Sequence, residues 1–310
     1  MGSASQSSLT IVKATIANAT VANPTPGVIA LPEAIASPDV IAPPEAIAPS
    51  GITVPPEVTA PPAAPGKANG PGSPRDTGRR PIVLATLNSR HSHASLGLRY
   101  LKANAGDLAE RIRIEEFVIG ADPEVLVDRL LAALVPQGPR LVGLGVYIWN
   151  ITETTELCRR LRARAPDIVI VAGGPEVSHE IDAQPIAGLV DFVVQGPGDL
   201  AFARLARAIL DGPRPLQRII AGEQPAELGE LALPYALYDA RDIGRRHLYV
   251  EASRGCPFKC AFCLSALDRT AWPFPIEPFL DSLASLYQRG ARTFRFVDRT
   301  FNLRIGDSVR

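Results

Sequence analysis

Short apolar runs alternate with amphipathic stretches between residues 80 and 212. Five runs rich in β-branched residues predict strands at 81–87, 112–119, 141–147, 167–172 and 190–195. Between and after them, apolar residues at helical spacing predict helices at 93–105, 123–135, 152–165 and 199–210. Strands that are apolar throughout and alternate with helices predict a parallel sheet covered on both faces. We therefore expect a doubly wound, Rossmann-like α/β domain over residues 80–212.

A second series of strand and helix patterns follows a proline-rich connection over residues 213–246, in which 216–221 is a further strand candidate. Beyond this connection, the pattern predicts a strand, a loop, a helix and a second strand at 247–252, 253–264, 278–288 and 293–297. Gly290 is placed to end the helix as a glycine cap. Two strands bury little surface alone, so residues 247–310 are predicted to be the first part of a larger unit.

The first 79 residues differ in composition from the rest of the chain. They are rich in proline and alanine, contain no Phe, Trp or Tyr, and include three tandem hexapeptides at 32–37, 38–43 and 44–49. Hexapeptide repeats can build a parallel β-helix. Proline at every sixth position opposes that coil, because it removes a hydrogen-bond donor. We expect an extended, disordered tail, and an upstream reading frame assigned too long is a second interpretation.

Charge and hydropathy exclude several classes of function. Lysines and arginines equal aspartates and glutamates at 32 each, so the net charge indicates neither nucleic acid nor an anionic membrane as the main partner. No apolar run reaches the roughly 18 residues of a membrane span. The N-terminus shows no basic segment followed by an apolar one, so no secretory signal is expected. The expected location is the cytoplasm.

Three of the four cysteines, Cys256, Cys260 and Cys263, lie close together in the chain. Cys158 stands apart on the apolar face of a predicted helix and is interpreted as a core residue. One tight trio suits a metal site in a reducing compartment better than a disulfide framework. Three thiolates can hold three irons of a four-iron cluster and leave the fourth open. Structural zinc needs four ligands, and neither Cys158 nor His247 has a zinc-like spacing.

The cysteine loop resembles that of the radical S-adenosylmethionine (SAM) family. The resemblance covers the approach at 251–257 (EASRGCP), the Cys-x-x-x-Cys-x-x-Cys spacing, Phe262 before the last cysteine, and the stretch at 294–302 (FRFVDRTFN). It implies that the three cysteines hold a [4Fe–4S] cluster whose open iron chelates SAM for reductive cleavage. It also implies that Phe262 packs near the SAM adenine and that residues 247–310 begin a radical SAM (β/α) barrel.

The loops after the predicted strands of the first domain are rich in glycine and polar residues. Doubly wound sheets bind ligands at the carboxyl ends of their strands, and glycine lets a bulky ligand approach the backbone. The stretches at 171–175 (VAGGP) and 193–199 (VVQGPGD) resemble the cobalamin-binding domain that precedes the barrel in many radical SAM proteins. The candidate cobalamin-binding residues are Asn88, His91, His93, Tyr147, Trp149, Asn150, Gly173, Gly174, Pro175, Gly196, Gly198 and Asp199.

The first domain departs from the family pattern at the cobalt ligand. The signature Asp-x-His-x-x-Gly is absent, since Ser89 stands two residues before His91 and Leu96 stands three residues after His93. A histidine on cobalt is therefore not predicted, and base-off binding without a protein ligand is an equal alternative. For both histidines a capping, solvent-facing turn is the other interpretation. Glycine turns also occur in flavodoxin-like domains that bind no cobalamin.

The resemblance implies a cobalamin-dependent radical SAM enzyme of the methyltransferase type. The expected cofactors are a [4Fe–4S] cluster, SAM and cobalamin. The expected partners are an electron donor, such as a flavodoxin or ferredoxin, and a small-molecule or peptide substrate. Two alternatives stay open. One is a radical SAM enzyme of another reaction type with cobalamin passive or absent, and the other is a non-catalytic fragment that binds cobalamin or a partner chain.

The barrel over residues 247–310 is expected to be incomplete at its C-terminal side, because two strands cannot close a barrel. We expect the isolated chain to form no 5′-deoxyadenosine after cluster reconstitution, since the later strands that complete a SAM site are missing. Chromatography of the products of reductive SAM cleavage measures this, with a full-length relative as the control. Robust 5′-deoxyadenosine formation by this chain would contradict the expectation.

Overall fold

The structure, a computed structural model, describes residues 78–263 and 271–301. The predicted tail lies outside the described residues except for its last two positions, so its hexapeptide repeats are not among them. Among the described residues, no helix combines the length and the apolar character that a membrane crossing requires.

The centre of the described chain is a parallel sheet of six strands in the order β2-β1-β3-β4-β5-β6. The strands are β1 Ile82–Asn88, β2 Ile112–Val118, β3 Leu141–Gly145, β4 Val169–Gly173, β5 Phe192–Gln195 and β6 Ile219–Ala221. The doubly wound fold predicted from the apolar runs is confirmed. The strand candidate in the proline-rich connection is the edge strand β6, which pairs with β5.

Two helices cover each face of this sheet, as the apolar stripes of the sequence predicted. The helices are α1 Leu96–Ala103, α2 Pro123–Ala133, α3 Ile151–Arg164 and α4 Asp199–Asp211. One core joins α2 and α3 to the sheet, and the other joins α1 and α4 to its opposite face. Cys158 belongs to the α3 core, where burial raises the pKa of its thiol to about 12. This thiol is therefore a packing residue.

Several helix boundaries differ from the prediction by one to three residues, and two of these differences have a local cause. The first helix begins at Leu96 and not at residue 93, because Ser95 caps it by accepting a hydrogen bond from the Leu98 amide. The second helix ends at Ala133. Just beyond it, the Val135 amide donates to the Arg80 carbonyl, which draws the chain into an extended contact with the start of the domain.

A second, smaller α/β unit follows. It contains α5 Ala240–Arg245, β7 Leu248–Val250, β8 Ser253–Gly255, β9 Ala271–Pro273, α6 Ile276–Gln288 and β10 Phe294–Phe296. Strands β7 and β10 pair in parallel, and α6 packs on them through Phe279 and Leu286. Gly290 follows α6 with φ of 107°, which confirms the glycine cap. The prediction of a loop over 253–264 is wrong at its start. Residues 253–255 form strand β8, which pairs antiparallel with β9.

Four charged residues, here called the Arg99 cluster, join the connection to the first domain. Arg99 of α1 contacts Glu116 of β2 at 3.0 Å and Asp242 of α5 at 2.7 Å. Arg246 contacts the same two carboxylates at 2.7 and 3.2 Å. Burial alone would raise the pKa of Glu116, but the two arginines outweigh burial and lower it. Two guanidinium groups thus neutralise two carboxylates in the interior.

We expect Arg99→Met to reduce the free energy of unfolding by about 3–5 kcal/mol, because it leaves two buried carboxylates with one arginine. Urea denaturation measures the change. Arg241→Met is the matched control, since Arg241 is exposed and pairs with the neighbouring Asp239, and we expect less than about 1 kcal/mol there. Because folding lowers the pKa of Glu116, the cost of Arg99→Met should shrink as the pH falls below about 4.

Candidate functional site

A cleft of about 800 Å³ opens at the carboxyl ends of the sheet strands. It lies where the strand order reverses. Strand β2, which follows β1 through α1, pairs with one edge of β1, and β3 pairs with the other edge. Its walls come from the loops after β1, β3, β4 and β5 and from the smaller unit. This volume falls within the roughly 300–1,000 Å³ of small-molecule and cofactor sites.

The loop after β1 is held by buried hydrogen bonds. The Asn88 amide donates to the His93 carbonyl at 2.9 Å and to Glu116 at 3.1 Å, so this loop is tied to the Arg99 cluster. The His93 ring stacks on Tyr249, and its Nδ1 hydrogen-bonds the Tyr249 hydroxyl. Burial, followed by the nearby charges of His247, Arg295 and Arg90, lowers the pKa of His93. His93 therefore favours its neutral form.

The loop after β3 presents two stacked rings to the cleft. Tyr147 and Trp149 lie with centroids 4.5 Å apart and planes 8° apart. Fully buried Asn150 fixes them, because its Oδ1 accepts from the Tyr147 amide at 2.8 Å and its Nδ2 donates to the Leu87 carbonyl at 3.0 Å. The Trp149 indole also donates to Leu87, at 3.3 Å. The pair forms a rigid, flat apolar surface.

The loops after β4 and β5 approach the cleft through glycine. Gly174 has φ of 121°, and a Cβ there would lie 2.3 Å from the Val146 carbonyl oxygen. Gly196 has φ of 76°, which also favours glycine. Gly198 ends the turn and leads into α4, whose first residue is the buried Asp199. The backbone itself forms this wall, so it offers space to a large, flat ligand.

The smaller unit supplies a charged wall that sequence analysis missed. Its lining residues are Tyr249, Glu251, Arg254, Gly255, Val297 and Arg299. Arg254 contacts Asp199 at 2.7 Å and Glu251 at 2.8 Å. Burial raises the pKa of Glu251, and Arg254 opposes that rise. In the sequence, the position of Arg254 two residues before Cys256 was the signal that could have indicated this wall.

The three clustered cysteines lie on one loop beside this wall. Cys256 and Cys263 are half-buried and Cys260 is exposed. Cys256 Sγ lies 3.3 Å from Thr300 Oγ1, and the Cys263 amide donates to the Cys260 carbonyl at 3.0 Å. Within the described part of the chain, no three His, Cys, Asp or Glu side chains are grouped closely enough to hold a metal ion. Three thiols are the donors that a [4Fe–4S] cluster takes, but the loop does not bring them close enough together to hold one in this structure.

The structure brings ten of the twelve candidate cobalamin-binding residues to the cleft, and these are Asn88, His93, Tyr147, Trp149, Gly173, Gly174, Pro175, Gly196, Gly198 and Asp199. His91 lies outside the cleft and is exposed. Asn150 also lies outside the cleft, beneath the aromatic pair that it fixes. Phe262 is 95% exposed on the cysteine loop.

Comparison with known proteins agrees with this geometry. Residues 82–206 match the family model of the B12 binding domain. The match covers β1 to most of α4, so it includes all twelve candidate residues. The flat surface of Tyr147 and Trp149 and the glycine backbone fit the broad face of a corrin.

Curated relatives confirm the resemblance to cobalamin-binding radical SAM proteins. The chain is 30% identical over 168 residues to 2-(S-pantetheinyl)-carbapenam-3-carboxylate methyltransferase of Streptantibioticus cattleyicolor, covering 46% of this chain and 24% of the relative. It is 28% identical over 195 residues to the cobalamin-dependent radical SAM methyltransferase TokK of Streptomyces tokunonensis, covering 53% and 28%. It is 25% identical over 233 residues to methyltransferase PH0819 of Pyrococcus horikoshii, covering 67% and 49%. The chain thus spans half or less of the length of each.

Two solved structures share the fold. The radical SAM methyltransferase TsrM from Kitasatospora setae, with cobalamin and a [4Fe–4S] cluster bound, aligns with a TM-score of 0.52 at 18% identity. The alignment covers 73% of this chain and 49% of TsrM. The cobalamin-dependent SAM radical enzyme OxsB, with aqua-cobalamin and SAM bound, aligns with a TM-score of 0.55 at 15% identity. That alignment covers 71% of this chain and 34% of OxsB.

We expect Gly174→Ala to destabilise the first domain by at least about 2 kcal/mol, because both the backbone angle and the Val146 carbonyl exclude a Cβ. Gly188→Ala is the matched control, since a Cβ there meets nothing within 4 Å, and we expect a change within about 0.5 kcal/mol. Thermal or urea unfolding compares the two. Equal stability of both variants would show that the turn after β4 is not constrained as described.

Proposed function

We propose that this chain binds cobalamin in the cleft of its B12-binding domain. The observation that carries the proposal is the position of the cleft at the carboxyl ends of β1, β3, β4 and β5, within the residues that match the family model. The aromatic pair and the glycine turns form its walls. We further propose that this site takes the corrin ring against the aromatic pair, with the twelve candidate residues as its first contacts or supports.

The same proposal places no histidine on cobalt. His91 lies outside the cleft. His93 lines the cleft, but its Nδ1 is bound to Tyr249 and its ring is stacked there, which fixes its orientation. Since the family's histidine signature is also absent, base-off binding without a protein ligand agrees best with the residues present.

We propose that the parent activity is cobalamin-dependent radical SAM methyl transfer. Cys256, Cys260 and Cys263 would hold the cluster, and Phe262 would contact the SAM adenine. When bound, the cluster would supply reductive cleavage of SAM, and cobalamin would supply the methyl group. The names of the curated methyltransferase relatives support this reaction class. An electron donor such as a flavodoxin or ferredoxin in the cytoplasm would reduce the cluster.

The test uses hydroxocobalamin, added anaerobically to the chain and followed by desalting. We expect the chain to retain corrin absorbance. A tryptophan in place of the exposed Gly97, which lines the cleft beside Tyr147, should abolish retention because it fills the cleft. Gly244→Trp is the control, since Gly244 lies on α5 with nothing within 4 Å of a Cβ.

Loss of corrin from the wild-type chain on desalting would contradict the proposed site. Equal retention by the Gly97→Trp variant would show that corrin binds elsewhere. After a chemical reductant has converted the retained corrin to cob(II)alamin, its EPR spectrum reads the axial ligand. We expect no nitrogen superhyperfine splitting, and a splitting that disappears in His93→Ala would place this histidine on cobalt.

A further inference from the structure

We propose that Arg254 is a positioning residue that fixes the cysteine loop to the mouth of the corrin cleft and so sets the distance between the two cofactors. This inference rests on the proposed function, because it assumes that both cofactors bind. It concerns a contact between the B12-binding domain and the smaller unit. Sequence analysis assigned no role to Arg254.

The guanidinium of Arg254 binds two carboxylates from different parts of the fold. It donates to both oxygens of Asp199, at 2.7 and 3.2 Å, and to Glu251 at 2.8 Å. The Asp199 and Arg254 side chains are 7% and 18% exposed. A paired guanidinium fork with two parallel hydrogen bonds defines both distance and orientation, which a single charge contact does not.

Aromatic rings hold the same guanidinium. Its central carbon lies 4.6 Å from the centroid of Tyr100 on α1 and 5.6 Å from that of Phe274, just after β9. Glu251 is held in turn through its backbone, whose amide and carbonyl both hydrogen-bond the Tyr235 hydroxyl at 3.1 Å. Arg254 therefore has little freedom to move while Asp199 stays in place.

The two ends of this contact lie at functionally distinct places. Asp199 is the first residue of α4 and lines the cleft directly after the Gly196–Gly198 turn. Arg254 lies on β8, whose last residue, Gly255, lines the cleft and precedes Cys256. One side chain thus links the wall of the corrin cleft to the first cysteine. A shift of this link would move the thiol relative to the cleft.

Geometry explains the contact better than stability does. Removing charges from water costs about as much free energy as a buried ion pair returns, so such pairs contribute little net stability. Transfer between two bound groups, in contrast, depends steeply on their separation and orientation. Arg254 binds both Asp199 and Glu251, so this position requires a side chain that can donate hydrogen bonds to two carboxylates at once, as a guanidinium does.

The experiment compares Arg254→Gln, Arg254→Lys and Asp199→Asn with wild type and with Arg241→Gln, an exposed arginine outside the cleft. Each chain is loaded with hydroxocobalamin, reconstituted with iron and sulfide, and reduced. Pulsed EPR then measures how the reduced cluster enhances the relaxation of cob(II)alamin, which reports the cobalt–cluster separation. Corrin absorbance and iron content are measured on every sample.

We expect one defined separation in wild type and in Arg241→Gln. Arg254→Gln and Asp199→Asn should lose it and show a broad distribution in the molecules that retain both cofactors. Arg254→Lys should fail to restore it, because an ammonium lacks the fork. A residue with only a structural role would lower stability without changing this distribution. An unchanged distribution in Arg254→Gln would overturn the proposal.

Hydrogen exchange of the corrin-free chain separates this proposal from the proposed function. We expect the amides of Gly255 and Cys256 to exchange roughly tenfold faster or more in Arg254→Gln, since a charge-assisted hydrogen bond that closes the loop is lost. Arg241→Gln should leave them unchanged. A wild-type chain that retains no corrin would refute the proposed function, and exchange alone would then decide whether Arg254 holds the loop. Unchanged exchange would overturn that role.

Discussion

The parallel direction of all the strands in the central sheet is the constraint on which the rest of the site depends. Because every strand from β1 to β5 ends at the same edge, four loops that are far apart in the chain meet there. The reversal of strand order between β1 and β3 separates their loops and leaves the cleft between them. The positions of the aromatic pair and the glycine turns follow from this topology. The B12-binding family match covers this region.

Buried charge attaches the smaller unit to that edge. The Arg99 cluster fixes the connection against α1 and β2, and Arg254 fixes β8 against the start of α4. The His247 amide also donates to the Ser92 carbonyl at 2.7 Å, which joins the strand entering β7 to the loop after β1. These contacts use orientation-dependent hydrogen bonds, which hold one geometry where apolar packing would tolerate sliding. The cysteine loop therefore occupies a defined place beside the cleft.

Much of the first domain could be predicted from the sequence, because buried parallel strands leave uninterrupted apolar runs and their loops leave glycine. The start of α1 was missed because a single side chain, Ser95, decides it. Strand β8 was missed because Ser253–Gly255 has no apolar pattern and depends on pairing with a distant segment. The contact of Arg254 with Asp199 joins residues far apart in the chain, so no local pattern signals it. The cofactors were predicted from the resemblance to a family, because hydrophobic periodicity predicts helices and strands and not the ligands that they bind.

The most direct measurement of the central claim is anomalous diffraction at the cobalt absorption edge from crystals of the corrin-loaded chain. The account predicts one cobalt peak inside the cleft, between the loops after β1 and β3 and on the side of the sheet edge that faces Arg254. A cobalt peak at any other place on the molecule, or a corrin-loaded crystal whose cleft holds no cobalt, would contradict it.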